Sequence, residues 1–67
     1  MTTEQPTRKI VRALKDAGFT PLRTKGSHTM WANGSVQVSV PDGHRTISPA
    51  VVRKVEQAIS EARKAQN

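Results

Sequence analysis

Apolar residues recur at helical spacing in the first third of the chain, where one face of a helix would carry Ile10, Val11, Leu14 and Ala17. This pattern predicts a helix over residues 7–17. Thr7 is a candidate for the N-cap, and Gly18 is a candidate for the glycine that ends the helix at its C-terminus. We expect Phe19 to fold back onto the last helical turn.

The middle of the chain is interrupted by proline and glycine, at Pro21, Gly26, Gly34, Pro41 and Gly43. Three strands fit between these breaks, over residues 22–24, 27–32 and 35–40. The third has the clearest signal, because apolar and polar residues alternate along it with a period of two. Asn33-Gly34 is a preferred pair for a tight hairpin turn, and Lys25-Gly26 is a weaker turn signal.

Helical spacing returns near the end of the chain. Ser48 is an N-cap candidate, Pro49 fits the first helical position, and a helix is predicted over residues 49–63. Its apolar stripe contains Val52, Val55, Ile59 and Ala62, and it is widened by Val51 and Ala58. A loop over residues 41–47 precedes it.

The predicted order is therefore α-β-β-β-α, an α+β fold. We expect a three-stranded antiparallel sheet with both helices packed on one face and the other face open to water. We expect residues 1–67 to form a single domain, with frayed ends at about 1–5 and 64–67.

The turns also predict which side chains share a face. With Asn33-Gly34 at the centre of the hairpin, Trp31 opposes Val36 and His28 opposes Ser39. Residues 31, 36, 38 and 40 then share the core face. With Lys25-Gly26 closing the other hairpin, Leu22 opposes Thr29 and also joins the core.

The opposite, water-exposed face is predicted to carry His28, Met30, Gln37 and Ser39. Arg23 opposes His28 in this register, so Arg23, His28 and Ser39 form a polar row across the sheet, with Lys25 just beyond it at the turn. One face thus gathers an imidazole, cations and hydroxyls.

Charge adds the first functional information. Eleven Lys and Arg against five Asp and Glu give a net charge of +6, which favours a polyanionic partner, either nucleic acid or an acidic protein. The predicted first helix contributes Arg8, Lys9 and Arg12. The first two lie in its first turn, where the helix dipole disfavours cations, which is a weak indication of an external anion.

Composition also excludes several classes of protein. The chain has no cysteine, so disulfides and cysteine-based zinc sites are excluded. With two histidines and few carboxylates, we expect no metal and no other cofactor. No apolar run approaches the roughly 20 residues that a membrane-spanning helix needs, and no signal peptide is apparent, so we expect a cytoplasmic protein without a membrane partner.

The segment Arg23-Thr24-Lys25-Gly26-Ser27-His28, set on strands after a helix ending Ala17-Gly18-Phe19, resembles the core motif of HicA toxins. Val38-Ser39-Val40-Pro41, followed by His44 and a closing helix, continues the similarity, which spans about residues 7–59. The chain differs from many members at Thr29, where they carry a second histidine, and in the spacing between Pro41 and His44.

The resemblance implies a fold like that of double-stranded-RNA-binding domains, cleavage of mRNA with little sequence preference, and neutralisation by a HicB-type antitoxin. It maps the catalytic histidine of the family onto His28. The candidate substrate-binding residues are Arg8, Lys9, Arg12, Arg23, Lys25, Gly26, Ser27 and Ser39.

The chemistry fits these residue types independently. Cleaving RNA without a metal requires a base that accepts the 2′-hydroxyl proton and cations that stabilise the phosphate. His28 can be that base, and Arg23 and Lys25 can supply the cations. The products would be a 2′,3′-cyclic phosphate and a 5′-hydroxyl. The donor of a proton to the leaving oxygen stays open between His44 and water.

Three other functions fit the same sequence. The first is a non-catalytic module that binds double-stranded RNA through its shape and phosphates. The second is a DNA-binding protein, for which the strand-rich middle argues against a helix-turn-helix but allows a β-ribbon. The third is a protein-interaction module with an acidic partner. Loss of His28 would abolish cleavage but leave a binding module nearly intact.

Overall fold

The computed structural model of the chain describes residues 5–65. The elements in chain order are β1 (Gln5–Pro6), α1 (Thr7–Asp16), β2 (Thr20–Lys25), β3 (His28–Asn33), β4 (Val36–Val40), β5 (Thr46–Ile47) and α2 (Pro49–Ala65). Strands β2, β3 and β4 form one antiparallel sheet in that spatial order. This confirms the predicted α+β fold.

A second, two-stranded sheet was not predicted from the sequence. Gln5 pairs with Ile47 and Pro6 pairs with Thr46, so β1 and β5 join the start of α1 to the segment before α2. Thr7 strengthens this junction, since its N–H donates to the carbonyl of Arg45 and its Oγ1 donates to that of His44. Thr7 is therefore the first residue of α1, and the prediction that it caps the helix was wrong.

The core lies between the sheet and the two helices. Trp31, Val38 and Val40 face it from the sheet, as predicted. The helices and the segments beside them contribute Ile10, Leu14, Phe19, Ile47, Val52, Val55, Ala58 and Ala62. Both helices therefore cover the same face of the sheet.

Leu22 does not join this core, contrary to the prediction. The pairing of β2 with β3 shifts between Pro21 and Arg23, and Leu22 lies in that bulge with 57% of its surface exposed. A bulged residue has no partner on the neighbouring strand, so the alternation that placed Leu22 in the core does not continue through this position.

The end of α1 follows the sequence closely. Gly18 has a φ of 88° and donates to the carbonyl of Lys15, while Phe19 donates to that of Leu14, which is the Schellman arrangement. Phe19 is buried, as predicted. The side-chain amide of Asn33 donates to the carbonyl of Ala17 at 3.0 Å, so the β3–β4 hairpin also satisfies the helix end.

Both hairpin turns lie one residue later than predicted. Their central residues are Gly26-Ser27 and Gly34-Ser35, between the flanking pairs Lys25/His28 and Asn33/Val36. Gly26 and Gly34 have φ values of 61° and 62° at the first central position, which is typical of type II′ turns. Asn33 stays in the strand, where its side chain reaches α1.

Helix α2 begins at Pro49, as predicted, and the N–H of Val52 bonds to the carbonyl of Ser48 at 2.9 Å. Regular structure reaches further than the predicted frayed ends, since Gln5 is paired and α2 continues to Ala65. Residues 1–4 and 66–67 lie outside the described residues. No helix within residues 5–65 is long and apolar enough to cross a membrane.

Candidate active site

The open face of the sheet carries a concavity of about 440 Å³. It is lined by Arg23, Lys25, His28, Met30 and Ser39. Four of these residues were predicted to form the site, and they come from all three strands of the main sheet. Below, this group is called the His28 concavity.

The pairing inside the concavity differs from the predicted row. Lys25, not Arg23, lies directly opposite His28. Arg23 opposes Met30, which in turn opposes Ser39 on β4. Arg23 and Ser39 are therefore diagonal neighbours of His28, both level with Met30, which lies two residues further along β3.

The lining suits an anion. Arg23, Lys25, His28 and Ser39 are all exposed, and no carboxylate is among the lining residues. A phosphate in the concavity would meet two cations, an imidazole and a hydroxyl, without a competing acidic group. Met30 is half-buried and was not predicted as a site residue. Its alternation with His28 along β3 would have identified it.

The turn that precedes His28 is held in place by the loop between β4 and β5. The N–H of Gly43 donates to the carbonyl of Ser27 at 3.0 Å. A Cβ on Gly43 would lie 2.6 Å from the Cβ of Ser27, so only glycine fits there without a shift. Of the two predicted substrate residues at this turn, Gly26 is exposed and Ser27 is packed against the loop.

A second connection runs through Thr29, the residue after His28. Thr29 lies on the core face and is 4% exposed. Its hydroxyl donates to Oδ1 of Asp42 at 2.9 Å. A hydroxyl has one proton, so the 3.0 Å bond between Thr29 and Thr24 must be donated by Thr24. These two hydrogen bonds join β2, β3 and the loop between β4 and β5 immediately beside His28.

The four cations of α1 lie outside the His28 concavity. Three of them, Arg8, Lys9 and Arg12, line another concavity of about 440 Å³, and the two concavities share no lining residue. Arg12 makes an exposed ion pair with Asp16 at 4.0 Å, which contributes little to stability. The predicted substrate-binding residues thus form two basic surfaces.

His44 is exposed in the loop between β4 and β5, and it is not among the residues that line the His28 concavity. Its carbonyl accepts the hydrogen bond from Thr7. Within residues 5–65, no group of three or more His, Cys, Asp or Glu side chains is arranged to hold a metal ion.

The sequence matches a protein-family model over most of its length. The family model described as the HicA toxin of bacterial toxin-antitoxin matches residues 7–65, which include both helices and the whole main sheet. Neither the curated proteins nor the solved structures gave a match.

Proposed function

The chain belongs to the HicA toxin family, and we propose that it is a metal-independent endoribonuclease that cleaves mRNA, with His28 as its catalytic acid/base. The family supports the role of toxin in a toxin-antitoxin pair. The observation that carries the proposed chemistry is the His28 concavity, where an exposed imidazole lies beside Lys25 and Arg23 with no carboxylate in the lining.

In the proposed reaction, Nε2 or Nδ1 of His28 accepts the proton of a 2′-hydroxyl. The 2′-oxygen then forms a bond to the adjacent phosphorus, and the bond from phosphorus to the 5′-oxygen breaks. The products are a 2′,3′-cyclic phosphate and a 5′-hydroxyl. His44 does not line the concavity, which is open to solvent, so we assign protonation of the leaving oxygen to water.

Lys25 and Arg23 would stabilise the charge that develops on the phosphate oxygens. Lys25 is the nearer of the two in the sheet, since it opposes His28 directly. Ser39 can donate a hydrogen bond to the same phosphate. Gly26 is exposed at the turn, where the absence of a side chain lets the substrate approach the backbone, and Ser27 supports that turn.

The second basic surface, formed by Arg8, Lys9 and Arg12, would bind phosphates further along the RNA. Such contacts neutralise charge without reading sequence, which suits an enzyme with little sequence preference. Raised salt should weaken RNA binding, because each neutralised phosphate releases counterions.

The family implies an antitoxin partner, and we propose that it is a HicB-type protein. With a net charge of +6 and an exposed basic concavity, the chain would be neutralised by acidic groups that cover His28. We propose that the pair acts in the cytoplasm, where mRNA is found.

The test is cleavage of a long, mostly single-stranded RNA by purified protein in EDTA, followed by end-group analysis of the products. His28→Ala should lower the cleavage rate by about 10²- to 10⁴-fold, the usual contribution of a general acid-base group. His44→Ala is the matched control, because it removes an exposed imidazole outside the concavity and should leave the rate within about twofold.

RNA binding by the same three proteins completes the test. If His28→Ala binds RNA but does not cut it, the catalytic role of His28 stands. If the native protein binds RNA but does not cut it, the enzyme proposal is wrong, and a non-catalytic RNA-binding module becomes the better account.

A further inference from the structure

Strand β4 is an edge of the main sheet, with β3 on one side only. Its sequence, Val36–Val40, contains no charge and no proline, and its pairing with β3 has no bulge. Natural proteins usually protect an exposed edge with one of these devices. Their absence indicates an edge that can pair with another strand.

The backbone groups that point outward belong to Gln37 and Ser39. The pair that flanks a two-residue turn is hydrogen-bonded, and here that pair is Asn33/Val36. Hydrogen-bonded and non-hydrogen-bonded pairs then alternate along the antiparallel ladder. Val36, Val38 and Val40 therefore bond to β3. In the described part of the chain, neither Gln37 nor Ser39 makes a backbone hydrogen bond outside the sheet.

Helix α2 borders this edge, and between them lies a concavity of about 360 Å³. The lining includes Gln37, Val38, Ser39, Lys54, Ala58 and Glu61. Lys54 and Glu61 are seven residues apart, about 10 Å along the helix, which is too far for a pair within one chain. Among residues 5–65, neither of them makes an ion pair.

The arrangement is self-complementary about a two-fold axis. An axis through Val38 would set Gln37 opposite Ser39 of the partner subunit, and both residues have outward N–H and C=O groups. Val38 and Ala58 line the same concavity, and Lys54 and Glu61 lie on either side of Ala58 along α2. The same axis would therefore bring Lys54 to Glu61 of the partner subunit. An isologous interface requires this kind of matching within one surface.

We propose that this face, formed by β4 and the adjoining flank of α2, pairs with a second copy of the chain to give a symmetric dimer. The two sheets join into one of six strands. Because the axis is perpendicular to the sheet, both His28 concavities lie on the same side of it. The spacing between strands and the rise per residue give a distance of about 25 Å between the two His28 Cα atoms. Ser39 lies at the border between the interface and the His28 concavity.

The strength of the dimer is limited by charge and size. Each copy carries +6, so the two chains repel each other, and one edge strand with one helix flank forms a small interface. We expect association in the micromolar range, measured by sedimentation equilibrium from about 1 µM to 1 mM.

Charge reversal tests the pairing of Lys54 with Glu61. Lys54→Glu lowers the net charge by two, from +6 to +4, and Glu61→Lys raises it by two, to +8. If only overall repulsion mattered, Lys54→Glu would strengthen association. We expect each variant to weaken self-association by about fivefold or more, and a mixture of the two to associate at least as well as the native protein.

Proline tests the strand pairing. Gln37→Pro removes an outward N–H and should weaken association at least tenfold, since two donors are lost per dimer. Gln37→Ala retains the N–H and should associate like the native protein. Circular dichroism checks that both variants are folded, and the helix variants test the interface independently of β4.

Amide hydrogen exchange gives a readout without substitution. The amides of Gln37 and Ser39 should exchange more slowly as the protein concentration rises. A protein that stays monomeric at 1 mM, or a dimer unaffected by all of these variants, would overturn the proposal. Protection of these amides only by an added antitoxin would also overturn it and assign the edge to that partner. None of these measurements depends on RNA cleavage.

Discussion

The two edges of the main sheet differ in almost every feature that controls strand pairing. Strand β2 contains Pro21, the bulge at Leu22, and the cations Arg23 and Lys25. Strand β4 has a continuous register and no charged residue. One set of residues can therefore have two uses, because the cations that discourage pairing along β2 also line the His28 concavity.

The largest difference between the two edges is expected when a lysine beside each of them is removed. Lys25→Ala should lower the rate of RNA cleavage by about 10²-fold, because it removes the cation directly opposite His28. Lys54→Ala removes the same charge beside β4 and should change the rate by less than about threefold. Both rates are measured at saturating RNA, so that weaker binding does not enter.

Equal losses in the two lysine variants would contradict the division between the edges. Such a result would mean that total charge, and not the position of Lys25, sets the rate.

A smaller effect is expected from the hydrogen bonds that connect β2 to the rest of the fold. Thr29→Val keeps the side-chain shape but loses both bonds of the buried hydroxyl, to Asp42 and Thr24. Stability should fall by about 1–2 kcal/mol, measured by urea denaturation. Amide exchange should accelerate in β2 more than in β4.

Thr29→Ser is the matched control, since it retains the hydroxyl and loses only a methyl group, worth about 0.8 kcal/mol. If the serine variant is the less stable of the two, packing and not hydrogen bonding holds β2 at this point.

The smallest effect is expected at the bulge. Leu22→Ala should change the free energy of unfolding by less than about 0.5 kcal/mol, because Leu22 is 57% exposed. Val38→Ala on β4 removes fewer atoms but should cost about 2 kcal/mol, because Val38 is 7% exposed. A larger loss at Leu22 than at Val38 would show that the bulge is packed in solution.

That Arg23, Lys25, His28 and Ser39 lie together on one face could be predicted from the sequence, although their pairing across the strands could not. Each turn was predicted one residue too early, so the residues near the turns pair with partners two positions away from the predicted ones. A shift of two keeps every side chain on the same face, so His28, Lys25 and Ser39 remained together. With Gly34-Ser35 at the turn, Asn33 stays in the strand and its side-chain amide donates to the carbonyl of Ala17, a long-range contact that no local pattern reveals.

Other features depend on contacts between distant parts of the chain. Gln5 pairs with Ile47, and Gly43 packs against Ser27. The local sequence around these residues does not indicate either contact. The bulge at Leu22 was missed for a related reason. A leucine between Pro21 and Arg23 fits the alternation of a regular strand, and only the paired structure shows where the alternation stops.

The position of α2 in the chain has a consequence for synthesis on the ribosome. This helix supplies four of the twelve buried apolar residues of the described chain, and they come after all the strands. Until α2 has left the exit tunnel, one side of the sheet lacks the helix that covers β4, and the nascent chain cannot complete its fold. Any activity that needs the finished sheet must therefore wait until α2 has been synthesised and can pack against the sheet.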